Sequence, residues 1–402
     1  ATLCKLMIES DGEYSSLLLA DRILNAFENL SDEAQIDFFH LLNEKYDLNH
    51  EELKNLVDRY ESTPDAPTLK KLIKAAEPTR QVLLRRMNLI PGGTPRLVKM
   101  REKLLVASRQ YPELKKMDID FRNLLNSWFN RGFLVLKHID WTTPAHILEK
   151  IIAYEAVHAI GSWRELRARL EPSDRLCFAF FHPAMEDEPL VFVQVALTQD
   201  LPSRIDHVLD ADREVLEPEA ADSAIFYSIS NCHDGLGGVS FGNFLIKQVA
   251  TTLQREFPHL KKFATLSPSP TFAGWVQKEA ETDQTAAELL DRVNKSGDAL
   301  QSLESQTDVA ALACRYYLQA KTPRQTPIDP VARFHLRNGA RLERINPLAD
   351  QSTKGIENSL GLMVNYVYDL ARVEENHENY IHNHQVVHSP AIKKLASTSL
   401  ES

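Results

Sequence analysis

Across residues 1–131 the apolar positions recur at intervals of three and four and nowhere alternate, so the chain predicts helix after helix. Leu53, Leu56, Val57 and Tyr60 form one such stripe, with Asn49 and Glu52 as a capping box ahead of it. Ser31, followed by Asp32 and Glu33, opens another helix that carries Ile36, Phe38, Phe39 and Leu42. Pro91-Gly92-Gly93 interrupts the pattern, and Thr94-Pro95 restarts it through Leu97, Val98, Leu104 and Leu105. This part reads as an all-α helical bundle and carries no catalytic constellation of its own.

From Arg131–Trp141 onward the period shortens. Strand-like runs follow at 175–182, 190–198, 223–231 and 262–266, with helical stretches at 145–159, 243–257 and 275–294. Such alternation predicts a mixed α/β domain over 132–402. Residues 279–330 are polar, with two helical stretches and prolines at 323, 327 and 330, and read as an insertion or connecting arm. Residues 331–346 and 361–370 read as the last elements of the α/β domain.

Composition narrows the function classes. A formal net charge of −10 argues against broad nucleic-acid binding, so an anionic ligand must be held by local backbone donors and a few Lys or Arg residues. No apolar run approaches the ~20 residues of a membrane span. The opening residues, Ala1–Tyr14, lack the basic-then-apolar pattern of a secretion signal. Cys4, Cys177, Cys232 and Cys314 are far apart, two of them inside strand-like runs, which favours buried thiols in a reducing compartment over disulfides or a metal site. His377, His382, His384 and His388 have irregular spacing and polar neighbours, as a solvated terminal segment would.

The richest stretch is 223–270. The apolar run Ser223–Asn231 meets the glycine-rich turn DGLGGVSFGN, in which Gly235, Gly237, Gly238 and Gly242 stand together although the whole chain has 14 glycines. A helical stripe of Phe244, Val249, Leu253 and Phe257 follows. A strand that breaks on glycines at a helix start exposes backbone N–H groups that suit a phosphate or pyrophosphate. The turn matches neither GxxxxGK[ST] nor GxGxxG, and tight helix–strand packing alone would also call for glycine. Next, two Ser-Pro steps in Leu266–Pro270 end a strand abruptly and hold Ser267 at its terminus, where ligand-directed side chains of open α/β sheets are found. An ordinary turn serine is the alternative. His335 lies between Phe334 and Leu336 ahead of the Arg337-Asn338-Gly339 turn, placed either as a proton carrier or as a satisfied core histidine; His182 and His233 invite the core reading too.

Together these residues resemble the malonyl-CoA decarboxylase family. The resemblance runs through Phe226–Pro270, Pro330–Ala340, Arg344–Tyr366 and Glu188–Thr198, and less distinctively through the helical first third. It implies an α+β multidomain chain: an N-terminal helical bundle over 1–131 that serves oligomerisation, then a GNAT-like α/β catalytic domain with a mixed central sheet over 132–402. Matched residue by residue, the family's coenzyme A segment falls on Gly237, Gly238, Val239, Ser240, Phe241, Gly242 and Asn243, with Ile246 one turn into the helix. Its catalytic serine falls on Ser267, its catalytic histidine on His335, and Tyr366 is a candidate for the acyl pocket.

The implied reaction converts malonyl-CoA to acetyl-CoA and CO2 through a thioester enolate, Ser267 orienting the carboxylate and His335 acting as general acid. The thioester is itself the electron sink, so no cofactor and no metal is called for, coenzyme A being part of the substrate. A coenzyme A-dependent acyltransferase of the same fold and a non-catalytic malonyl-CoA sensor are the alternatives. The expected partners are malonyl-CoA and further copies of the chain, as a dimer or tetramer, with no nucleic acid and no membrane. The chain ends in Ser399–Ser402 without the SKL ending of some relatives, and a cytoplasmic enzyme is expected.

Overall fold

The computed structural model describes residues 1–10, 12–239, 244–296 and 298–400. Helices run from Thr2–Glu9 to Lys115–Trp128, and the caps read from sequence are in place: Ser31 accepts from the Ala34 N–H at 3.3 Å and Asn49 from the Glu52 N–H at 3.2 Å. Phe27, Phe39, Leu42, Leu83, Leu97, Leu104 and Phe121 lie in their common core. The His50–Ser62 helix buries none of its residues, so its stripe is not core.

Eight strands form one sheet: β1 (Val135–Ile139), β2 (Arg175–Phe181), β3 (Val191–Thr198), β4 (Ser223–Asn231), β5 (Lys262–Thr265), β6 (Ser267–Pro268), β7 (Arg341–Asn346) and β8 (Met363–Val367). Their order is β1-β2-β3-β4-β5-β8-β6, with β7 also on β8. The sheet is mixed: β4 and β5 are parallel, joined through the helix Phe244–Glu256, while the other described pairings are antiparallel. β2, β3 and β4 are buried almost throughout, hence their continuous apolar runs. This is the helical bundle followed by a mixed-sheet domain expected from the sequence.

Two irregularities shape the site. The β4–β5 ladder ends at Phe226 beside Thr265, although β4 continues to Asn231 against β3, so the two parallel strands part there. At the same place the β3–β4 register slips past Tyr227, a bulge that bends β4 away. The bent end is fixed by the buried carboxylate of Glu155. It accepts from Ser228 Oγ at 2.7 Å, from Gln194 Nε2 at 2.8 Å, and from the Val157 and His158 N–H groups at 2.8 and 3.0 Å.

The chain packs as two units, one gathering Ala1–Val135 with Phe181–Leu190 and His233–Phe241, the other the remaining segments. All four cysteines are buried. No helix among the described residues is long and apolar enough to cross a membrane.

Candidate active site

Alternation along the sheet assembles the site. Ala264 stands opposite Val367 and Ser267 opposite Val364 in one register, so β5 and β6 read as a single interrupted strand with Thr265 across from Tyr366. Thr265, Ser267 and Tyr366 therefore share one face, and Tyr368, two residues beyond Tyr366, continues it. Phe226 closes this face from β4, its ring 6.5 Å from that of Tyr368 in an edge-on pair.

The helix Pro330–Arg337 brings the histidine to that face. Proline opens it, and Asp329 caps it by accepting from the Ala332 N–H at 2.7 Å. His335 Nε2 then lies 3.0 Å from Ser267 Oγ, and His335 Nδ1 lies 2.8 Å from the Tyr368 hydroxyl. Ser267 Oγ donates to Thr265 Oγ1 at 2.9 Å. A hydroxyl has one proton; with that proton on Thr265, Ser267 accepts from Nε2–H, and Nδ1 accepts from Tyr368 O–H. Tyr366 stacks on the imidazole, with centroids 4.6 Å apart and planes inclined by 25°. Its hydroxyl is buried and makes no hydrogen bond of ordinary geometry, although the Tyr317 hydroxyl lies near enough to interact with it.

Burial sets the charge. His335 is 3% exposed and Ser267 5%. Desolvation pushes the His335 imidazole down to about 3, so the ring is neutral near pH 7. Burial likewise drives Tyr366 and Tyr368 well above the usual tyrosine range, which keeps both hydroxyls protonated.

Support comes from a segment that the sequence assigned to a connecting arm. The helix Leu303–Leu318 buries Tyr316 and Tyr317. Tyr316 O–H donates to Asp329 Oδ2 at 3.0 Å, and the Tyr317 hydroxyl bonds that of Ser269. Average polarity hid the narrow stripe of Val309, Leu312, Ala313, Tyr316 and Tyr317 that this helix buries. Thr265 and Tyr368 were also missed, although period-two alternation from Ser267 and Tyr366 reaches both.

Of the glycine-rich segment, Gly237, Gly238 and Val239 follow a short turn at Asp234–Leu236. Gly238 has φ +72°, a left-handed conformation that glycine adopts without strain. Val239 is buried, and Ser240, Phe241, Gly242 and Asn243 lie outside the described residues. Ile246, on the helix that follows, is 2% exposed. His182 is a satisfied core residue, its Nε2 donating to the Trp128 carbonyl at 3.0 Å while Nδ1 accepts from the Ala184 N–H at 3.1 Å. Among the described residues no cluster of three or more His, Cys, Asp or Glu could hold a metal ion.

Comparison with known proteins agrees over most of the chain. The malonyl-CoA decarboxylase C-terminal domain model matches residues 132–402, and the N-terminal domain model matches residues 46–129. Malonyl-CoA decarboxylase, mitochondrial, of Rattus norvegicus is 35% identical over 355 residues, covering 80% of this chain and 72% of that protein. The crystal structure of malonyl-CoA decarboxylase from Rhodopseudomonas palustris superposes with a TM-score of 0.92 at 46% identity, and that from Agrobacterium vitis with 0.93 at 47%, each covering 98% of both chains. The chain belongs to the malonyl-CoA decarboxylase family, a family of carboxy-lyases.

Proposed function

We propose that this protein converts malonyl-CoA to acetyl-CoA and CO2, with Ser267 and His335 as its catalytic pair. The observation that carries the reading is the 3.0 Å contact between Ser267 Oγ and His335 Nε2, both buried and 68 residues apart in sequence. The reaction consumes one carboxylate and one proton. The free imidazole is neutral because nothing offsets a buried positive charge there. A malonyl carboxylate entering beside Ser267 supplies that counter-charge and raises the proton affinity of the imidazole, so His335 is protonated in the complexes that react. The Tyr368 hydroxyl then turns from donor to acceptor and receives Nδ1–H.

Ser267 turns its hydroxyl proton from Thr265 to the carboxylate and orients that group out of the thioester plane. As the C–C bond breaks, its electron pair passes into the thioester and CO2 departs, leaving an enolate. A donor preorganised at such an oxygen contributes about 2.7–4 kcal/mol. Nε2–H delivers its proton to C2, and His335 returns to the neutral state. The thioester accepts the electrons, so the scheme calls on no cofactor. Gly237–Asn243 and Ile246 hold coenzyme A in this reading, and Tyr366 lines the acyl pocket. We further propose a homo-oligomer, a dimer or tetramer, in the cytoplasm; exposed Val57, Leu69 and Ile73 on the helical bundle support assembly, which sedimentation velocity tests.

The test supplies purified protein with malonyl-CoA alone. Acetyl-CoA and CO2 in equal amounts are expected, without any acyl acceptor. Unchanged malonyl-CoA would reject the reading.

A further inference from the structure

The described part of the glycine-rich segment is anchored on the helical bundle, through contacts that the chemistry above does not use. Gly235 rests on the helix Gly93–Gln110 with no clearance: a Cβ there would lie 2.0 Å from the Val98 carbonyl oxygen. Arg101, one turn along that helix and 1% exposed, donates from Nη1 to the Gly235 carbonyl at 2.7 Å and from Nε to Asp118 Oδ1 at 2.7 Å. The Gly235 N–H donates to Glu102 Oε1 at 3.4 Å. Both main-chain polar groups of Gly235 are thus satisfied by neighbouring side chains of one helix. Just beyond, Leu236 and Val239 are buried in a cluster with Val98, Leu125 and Phe129.

A glycine-rich segment loses more backbone freedom on ordering than any other composition, and that loss opposes ligand binding unless part of it is met beforehand. Resting on the reading of Gly237–Asn243 as the coenzyme A segment, we infer that Arg101 and Gly235 are positioning residues for coenzyme A, and that the helical bundle presets the backbone at Gly237–Val239, where that segment begins. The bundle then has a part in substrate binding that is separate from assembly. Arginine suits the role because its fork reaches Asp118 and Gly235 from different nitrogens, which a single ammonium cannot reproduce.

Two full-length variants test this. Gly235→Ala wedges a methyl against Val98, and Arg101→Lys keeps the charge beside Asp118 while giving up the fork. In each, KM for malonyl-CoA is expected to rise roughly ten- to a hundredfold with kcat within about threefold of the wild type. Amide exchange over residues 233–239 of the ligand-free protein is expected to quicken, while that over 363–367 stays unchanged. Thermal melts confirm that the variants fold. Should KM and exchange over 233–239 both match the wild type in a folded variant, or should kcat alone collapse, the inference is overturned. If the wild type itself makes no acetyl-CoA, the decarboxylase reading fails, and the exchange measurement still decides whether Arg101 and Gly235 fix the segment.

Discussion

Binding of an anionic acyl group is expected to draw a proton into the protein. The perturbation is a ligand whose charge cannot leave as CO2, namely the sulfonate analogue of malonyl-CoA, compared with coenzyme A alone. In the free protein burial holds His335 at about 3. A unit negative charge about 4 Å away favours the imidazolium by about 4 kcal/mol at an effective dielectric of about 20. That energy is equivalent to about 3 pKa units. His335 in the complex should therefore titrate at about 6. Protons are taken up on binding only between the two values, so affinity rises as pH falls through about 6 toward 3, by at most tenfold per unit.

Calorimetry in buffers of different ionisation heat counts those protons. Uptake is expected to be close to zero at pH 7.5 and roughly three-quarters of a proton per analogue at pH 5.5, beyond what coenzyme A alone takes up. The 3′-phosphate titration is common to both ligands and subtracts. His335→Gln should remove the difference while leaving coenzyme A binding intact. Equal uptake with the two ligands, or uptake that survives His335→Gln, would refute the reasoning.

Other outcomes follow from the same geometry. Ser267→Ala should lower kcat roughly a hundred- to a thousandfold, and Tyr368→Phe roughly tenfold through loss of the partner at Nδ1, both with little change in KM; steady-state kinetics separates the two effects. Asp329→Ala removes a helix cap and one of the two partners of the Tyr316 hydroxyl, which keeps Thr271, so it should cost about 1–3 kcal/mol and lower Tm by a few degrees, while Asp329→Asn, which still caps, recovers most of this in a melting experiment. His158, held at about 4, and His335, at about 3, both bind protons less readily in the folded protein than in the unfolded chain. Folding stability is therefore expected to be complete above about pH 7.5 and to fall by roughly 4 kcal/mol by pH 5, and urea titrations at the two pH values measure the difference.

Elements whose signals are local were legible in the sequence. The β4 run Ser223–Asn231 matches its strand to the residue, and Ser31 and Asn49 cap as read. Where two signals competed, the sequence misled. Residues 275–294 read as one helix but fold as Phe272–Glu279 and Gln284–Lys295, because Asp283 caps the second by accepting from the Ala286 N–H at 2.8 Å. The stripe of Leu53, Leu56, Val57 and Tyr60 is a good amphipathic pattern that faces no core within the chain. The return of 181–190 and 233–241 to the helical unit left no mark in composition, since docking a turn on a helix takes one small residue, Gly235, and one arginine far upstream.

The candidate pair shows why local reading stops short of chemistry. Between Phe334 and Leu336, His335 could be either a core residue or a proton carrier, and the proposed chemistry uses it as both. On a helix successive residues point about 100° apart, so Phe334 is 41% exposed while His335 beside it is 3% exposed. Burial is what keeps the imidazole neutral and ready for a proton that arrives with an anionic substrate. The same burial, by excluding water, lets one incoming carboxylate move the titration by several pKa units. A surface histidine beside a serine would gain little from that charge, because solvent would screen it. In the proposed chemistry depth thus matters, and depth comes from Tyr366 and Tyr368 packing against a ring whose own sequence neighbours give no sign of it.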